Sequence, residues 1–371
     1  MVLNDTTIKM IHFDPLETLK PDLLSQTLIK IRTDLNFDII SATLLENPLT
    51  LQFYKDWLSH GYQAEMQYLE KHLKFKEQPR LLNPSLNSAI TFAQSYLPQQ
   101  QALSIKIPAR TAFYAQNKDY HFWLKDKLSE TIKTLEQIYP EEIFIPYVDS
   151  GPIHERDLAY KAGLGWFGKN TCIIHSQKGS FFFLAEILTS LKINNLNPLH
   201  EDLCGKCNLC IESCPTQALE KNKVLNAEKC ISFLTIESKK TPPLELREKM
   251  NDWFFGCDIC QTVCPWNNKK LKSLFINKAL ITAPQSELSS HEKSELIYFF
   301  KDILTSSNKK IQKRFIGTPY LRSGGFGLKR NALIVIANRQ ITELLSEVES
   351  LCSDPKLGEL AKWTKDKLIN N

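Results

Sequence analysis

Eight of the ten cysteines in this 371-residue chain fall between residues 204 and 264. They form two runs, Cys204-x2-Cys207-x2-Cys210-x3-Cys214-Pro215 and Cys257-x2-Cys260-x3-Cys264-Pro265, with an isolated Cys230 between them. Such clustering, in a sequence whose N-terminus (MVLNDTTIKMIHF) lacks the basic-then-apolar layout of an export signal, argues for metal ligation rather than disulfides. No apolar run approaches the ~18–20 residues that a bilayer requires. A soluble cytoplasmic protein without a membrane partner is the expectation.

Tight x2 spacing lets three thiolates converge on one face of a cubane from a single turn of backbone. In two-cluster ferredoxins the fourth cysteine of the run, followed by proline, ligates the other cluster. Applied here, that crossing groups Cys204, Cys207, Cys210 and Cys264 around a first [4Fe-4S] cluster. Cys214, Cys230, Cys257 and Cys260 then surround a second, and no cysteine of the segment is left over. Structural zinc prefers paired x2 knuckles and fits less well. Cys172 and Cys352 read as buried small hydrophobes. Two clusters make a wire, and some three hundred further residues must hold the acceptor and its substrate.

Residues 1–200 read as mixed α/β, a sheet with helices packed on it. Helical spacing covers 21–35, 50–60, 63–72 and 119–138, while 88–92, 144–148 and 171–175 look extended. The Phe-rich run 179–191 reads as a buried strand entering a helix. Residues 201–270 show little periodicity, as expected of an interior built around inorganic clusters. Beyond 285, helical spacing at 294–305, 328–338, 341–351 and 356–369 suggests antiparallel helix pairs of the solenoid type. With 43% hydrophobic residues the chain can bury cores of this size. The expected domains are therefore 1–198, 199–275 and 285–371.

Gly163-Leu-Gly165-Trp-Phe-Gly168 satisfies the G-x-G-x-x-G pattern of dinucleotide sites. That fingerprint follows a strand and opens a helix. Here a helical stretch (154–162) precedes it and an extended one follows, so a nicotinamide site is disfavoured. The glycines allow either a tight turn or the close approach of another large cofactor. Upstream, Asp149 sits where a strand meets a turn, suited to turn capping or to catalysis.

Taken together, several blocks resemble the epoxyqueuosine reductases, a family of cobalamin- and iron–sulfur-dependent enzymes of tRNA queuosine synthesis. The blocks are Asp119-Tyr120-His121, VDSGPIHER (148–156), AGLGWFGKNT (162–171), GSFFFLAEILTSL (179–191), CISFLTIE (230–237), GCDICQTVCPWN (256–267) and FIGTPYLRSGGFGLKRNALIVIAN (315–338). The resemblance implies an α/β cobalamin-binding domain like that of reductive dehalogenases. It also implies a two-cluster ferredoxin-like domain and a C-terminal HEAT-like helical region. The implied reaction reduces epoxyqueuosine to queuosine in the anticodon loop of a tRNA with a GUN anticodon. Electrons would come from an external low-potential donor and pass through two [4Fe-4S] clusters to cobalamin. Asp149 would be the proton donor, which requires a carboxyl kept protonated by burial or by hydrogen bonds to its neutral form.

Cobalamin contacts are expected from Gly163, Gly165, Trp166, Gly168, Lys169, Asn170, Thr171 and Ser232. Phe113 and Tyr114 are candidates to face cobalt, and His121 and His154 to touch substrate or to serve structure. The family often carries glycine in the turn before Asp119, where this chain has Gln116-Asn117-Lys118. Asn tolerates the positive φ such a turn would use. A related cobalamin reductase of a small molecule, dehalogenase-like, and a non-catalytic electron carrier are the alternatives.

The net charge of +5 hides an asymmetry: residues 301–340 carry nine Lys or Arg against the single acid Asp302. That excess suits either a solvated helix face or an RNA backbone. Lys309, Lys310, Lys313, Arg314, Lys329 and Arg330 are the expected phosphate contacts, with the modified base splayed into a pocket.

Overall fold

The structure, a computed structural model, describes residues 23–97, 107–193, 198–273 and 289–370. The N-terminal segment, the first two residues of the expected helix at 21–35 and the expected start of the C-terminal region lie outside these residues.

A four-stranded sheet organises the first half. Its strands are β1 (Ile39–Leu44), β2 (Ser88–Ser95), β3 (Phe144–Tyr147) and β4 (Phe182–Thr189), in spatial order β1-β2-β4-β3 with every neighbour antiparallel. One face packs on α1 (Leu23–Asp34) and α2 (Tyr120–Ile138). Leu124, Leu128, Thr131 and Leu135 recur at helical spacing on α2 and are all buried, against Ile40, Ile90, Phe92 and Ile187 of the sheet. Asp119 caps α2 by accepting the His121 backbone N–H. The other face packs on α3 (Glu155–Lys161) through two separate apolar clusters, one around Ile39, Ala93 and Ala159 and one around Leu45, Leu86 and Leu158. Between those clusters Ser41, Thr91, Glu186 and Tyr147 stand side by side in register across all four strands.

In the second half one apolar core includes residues of both the expected 199–275 and 285–371 segments. Ile231–Ile236 and Trp253–Phe255, inside the cysteine segment, share one core with the C-terminal helices α4 (Ser290–Thr305), α5 (Asn308–Arg314), α6 (Gly324–Asn338) and α7 (Gly358–Ile369). The segment's interior is thus apolar as well as cysteine-lined, contrary to its weak periodicity. Its helices are too short, at four to six residues, to show a repeat. Trp253–Phe255 also pairs parallel with Arg110–Thr111, tying this core to the first half.

Other differences have local causes. The helix expected over 63–72 is broken by positive φ at Gly61 and Ala64 and reduces to Tyr68–Lys71. Residues 179–191 form a strand with no helix, because β4 is hydrogen-bonded on both edges. The strand expected at 171–175 shortens to Ile173–Ile174. The turn before Asp119 needs no left-handed residue: Asn117 is extended, at φ −128°. β1 and α5 were not foreseen.

Candidate active site

Asp149 leaves β3 in the left-handed region, at φ +55°, a conformation that costs a non-glycine residue about 1–3 kcal/mol unless its surroundings impose it. Its carboxylate accepts the Tyr120 hydroxyl at 2.7 Å on Oδ2, with His121 Nε2 3.4 Å from the same oxygen. The other ring nitrogen of His121, Nδ1, lies 2.7 Å from Asp119 Oδ1. Burial pulls the His121 imidazole down, but its hydrogen bonds to Asp149 and Asp119 outweigh this and leave it above its ordinary value. Burial pushes the Asp149 carboxyl up, and the His121 and Tyr120 bonds outweigh that, leaving it below the usual carboxylate range. Both directions favour the carboxylate form of Asp149 and the imidazolium form of His121. The expectation of an Asp149 carboxyl kept protonated is corrected: donors to its charged form surround it.

Asp149 is 58% exposed although protein surrounds it on most sides, so it lines a concavity. Tyr96, Tyr114 and Tyr120 are likewise deep in the molecule yet keep accessible surface. With Phe183 they make a wall of ring-to-ring contacts. Tyr114 lies between two acids: burial pushes its hydroxyl up, and the charges of Asp258 and Asp149 add to the effect. Phe113 packs instead against Phe181. His154 is edge-on to Tyr54 and, lowered to about 3 by burial with Lys76 and Arg156 nearby, stays neutral.

The cysteine thiols, all free, gather in two sets. Cys264 has Cys204, Cys207 and Cys210 as electrostatic neighbours. Cys257 and Cys260 have Cys230 and Cys214. Among the described residues no three His, Cys, Asp or Glu close on a single-ion site, the geometry that zinc requires. The donor set fits clusters: thiols are drawn together unpaired, and backbone N–H groups point at the sulfurs, as from Ala218 to Cys214 Sγ at 3.3 Å. The second set borders the concavity, because Asp258, between Cys257 and Cys260 in sequence, accepts the backbone N–H of Phe113 at 2.7 Å beside Tyr114. The first set is the outer one, flanked by exposed Leu203 and Leu209. Cys172, expected to be a buried hydrophobe, keeps accessible surface and has Cys260 as an electrostatic neighbour. Cys352, also partly buried, donates to the Val348 carbonyl.

The glycine loop serves the protein's own packing. Gly163 ends α3 at φ +74°, the left-handed C-terminal position that favours glycine. A Cβ on Gly165 would stand 2.1 Å from the Ile174 carbonyl oxygen, and one on Gly168 2.5 Å from Ile174 Cδ1. Helix, turn and strand follow in the order that excludes a dinucleotide fingerprint. Three of the side chains expected to hold cofactor contact the cysteine segment. Trp166, 1% exposed, packs beside Cys264, Cys204 and Trp266. Lys169 Nζ donates to Gly205 O and Asn208 Oδ1 at 2.9 and 2.8 Å, and Asn170 Nδ2 donates to Cys260 O at 3.3 Å. Thr171, at φ +69°, and Ser232 keep accessible surface.

Five of the nine basic residues in the stretch are ion-paired, two of them with Asp302 inside it. Lys310 and Arg314 both contact Asp302, and Arg322 grips Glu237 at 2.8 and 3.0 Å. Arg330 is wholly buried and donates to the carbonyls of Ser238 and Lys240 at 2.6 and 3.0 Å, so its expected phosphate contact is corrected. Nothing in its sequence neighbourhood distinguishes it from Lys329, which is half-buried near Asp354. Lys309 and Lys313 on α5 are exposed. The turn after α5 reaches the site directly, since Gly317 O accepts the Asp119 N–H at 2.9 Å. Exposed Ile316 and Phe122 adjoin that contact in sequence.

An acid–base pair at the edge of a deep aromatic concavity, with two thiol sets leading outward from it, defines an iron–sulfur oxidoreductase. Comparison with known proteins narrows the class. Residues 203–267 match the family described as 4Fe-4S double cluster binding domain, and residues 76–150 match epoxyqueuosine reductase QueG, DUF1730. The chain is 33% identical to an epoxyqueuosine reductase of Escherichia coli over 356 residues, covering 94% of this chain and 90% of that one. It is 41% identical to one of Cyclobacterium marinum over 246 residues, 66% of this chain and 79% of that one. A crystal structure of an epoxyqueuosine reductase with an epoxyqueuosine-modified tRNA-Tyr stem loop superposes with a TM-score of 0.75 at 28% identity, over 93% and 90% of the two chains. A Bacillus subtilis epoxyqueuosine reductase with its catalytic loop swung out of the active site gives 0.76 at 28% identity, with the same coverage. This chain belongs to the epoxyqueuosine reductase family.

Proposed function

We propose that the chain reduces epoxyqueuosine to queuosine in the anticodon loop of a GUN-anticodon tRNA in the cytoplasm. An external low-potential donor supplies the electrons. The observation that carries this reading is Tyr114, set between Asp149 and the Asp258 segment of the second thiol set, so that proton donor and electron source face one cavity.

In this reading Cys204, Cys207, Cys210 and Cys264 hold one [4Fe-4S] cluster, and Cys214, Cys230, Cys257 and Cys260 the other. Electrons enter at the exposed outer set and leave from the inner one. In this reading the aromatic wall of Tyr96, Tyr114, Tyr120 and Phe183 suits the face of a corrin ring, and Thr171 and Ser232 would contact the polar amides around its rim. Bound cobalamin would supply reduced cobalt to deliver an electron pair to the epoxide carbon. Asp149 hands a proton to the departing oxygen, which is a poor leaving group as an alkoxide. It draws that proton from His121, while Tyr120 holds Oδ2 in place. The left-handed Asp149 backbone suits a loop that moves, as the one in the B. subtilis relative does.

Lys309 and Lys313, next to the turn that touches Asp119, meet tRNA phosphates, with Lys310, Arg314 and Lys329 at the edge of the same surface. The C-terminal helices act as the HEAT-like scaffold of that surface. Anaerobic purification tests the reading: cobalamin bands beside the broad iron–sulfur absorption are expected, and a protein that binds neither overturns it.

A further inference from the structure

Behind Asp149 lies a pair of carboxyls that the mechanism above does not use. Glu155 opens α3, and its carboxylate accepts the backbone N–H of Asp149 while Oε1 is buried without a hydrogen bond. Glu186 stands at the centre of the sheet, 0% exposed, flanked in register by Thr91 and Tyr147, and neither of its carboxylate oxygens has a hydrogen-bond partner. The charged groups facing the pair are Asp149, Lys76 and Arg156. Lys76 Nζ is committed to the Ile153 carbonyl at 2.6 Å, and Arg156 to the Thr171 carbonyl at 2.8 Å. A buried carboxylate with neither donor nor paired cation is strongly disfavoured, and two neighbouring ones more so.

We propose that Glu155, backed by the neutral carboxyl of Glu186, is the reserve acid that recharges the Asp149–His121 pair and also positions the Asp149 loop. This rests on the epoxide-reducing reading. Turning an epoxide into an alkene and water takes two electrons and two protons. One proton goes to the oxygen as the first C–O bond breaks, and the second carries that oxygen away as water when the other breaks. The external donor supplies the electrons. The Asp149–His121 pair holds one proton in excess of its carboxylate–imidazole form, so a second source is needed within the turnover. Glu155 keeps accessible surface and is the member that exchanges; Glu186, fully enclosed and without a donor, stays neutral behind it. Burial, and then the charge of Asp149, pushes the Glu155 carboxyl up to about 8.

The test is infrared titration of the cluster-loaded protein, which needs no turnover. The wild type should show protonated-carboxyl absorption at pH 7, part of which bleaches around pH 8. Glu155→Gln keeps the side chain's shape and an acceptor for the Asp149 amide, and should remove the bleaching part. Glu186→Gln should remove the part that does not bleach and leave the titrating part in place. In turnover, Glu155→Gln should lower kcat by about tenfold or more with KM for the stem loop unchanged, and flatten the alkaline limb near pH 8. A wild-type spectrum without a titrating band, or a Glu155→Gln protein with wild-type kcat and pH limb, overturns the proposal. A wild type that shows the titrating band yet leaves epoxyqueuosine unreduced overturns the functional reading and leaves the buried acid standing.

Discussion

The Tyr120 hydroxyl donates to Asp149 Oδ2 at 2.7 Å, on the oxygen that also faces His121 Nε2. Because a donor favours the charged form of its acceptor, this bond helps keep the resting proton on His121. Tyr120→Phe removes the donor, so the Asp149 carboxyl rises towards its ordinary range. A general acid is lost on the alkaline side, so the alkaline limb of the pH profile of kcat/KM should move to higher pH, with stem-loop affinity within about twofold of wild type. An alkaline limb that stays in place would show that the Asp149–His121 pair does not titrate there.

Arg330 and the α5 lysines should behave as opposites. Arg330→Ala strips a buried guanidinium from the Ser238 and Lys240 carbonyls and should destabilise the fold by about 3–5 kcal/mol, read by chemical denaturation. Lys309→Ala with Lys313→Ala should leave stability unchanged and make the salt dependence of stem-loop binding shallower by roughly one unit of slope for each lysine removed. An unchanged slope would remove α5 from the tRNA surface.

Cys230 and Cys172 separate ligands from bystanders. Cys230→Ser should cut bound iron by about half and spare the outer set, as measured by iron content and low-temperature paramagnetic resonance. Cys172→Ser, despite lying near Cys260, should retain the full iron complement. Equal iron in both variants would remove Cys230 from the cluster.

The two cysteine runs were legible because their spacing is local: x2 and x3 intervals act within one turn of chain. The helices 120–138 and 324–338 were readable for the same reason, their buried faces recurring along a single segment. What was hidden depends on contacts between distant segments. β1 reads as an unremarkable short stretch until β2 pairs with it. The role of the glycine loop follows from Ile174 and the cysteine segment, to which Trp166, Lys169 and Asn170 are committed. Arg330 looks like its basic neighbours until carbonyls ninety residues upstream enclose it. The Asp149 proton state likewise depends on Tyr120 and His121, some thirty residues away in sequence.

The central claim is that Asp149 delivers the proton as the epoxide oxygen leaves. A single-turnover assay tests it most directly, using anaerobic, fully loaded, pre-reduced protein and an epoxyqueuosine-bearing anticodon stem loop, with the nucleoside product identified by mass. The wild type should convert the epoxide to the alkene with loss of one oxygen. Asp149→Asn should keep both chromophores and wild-type stem-loop affinity while converting at least about a hundredfold more slowly. An Asp149→Asn protein that turns over at the wild-type rate would contradict the account.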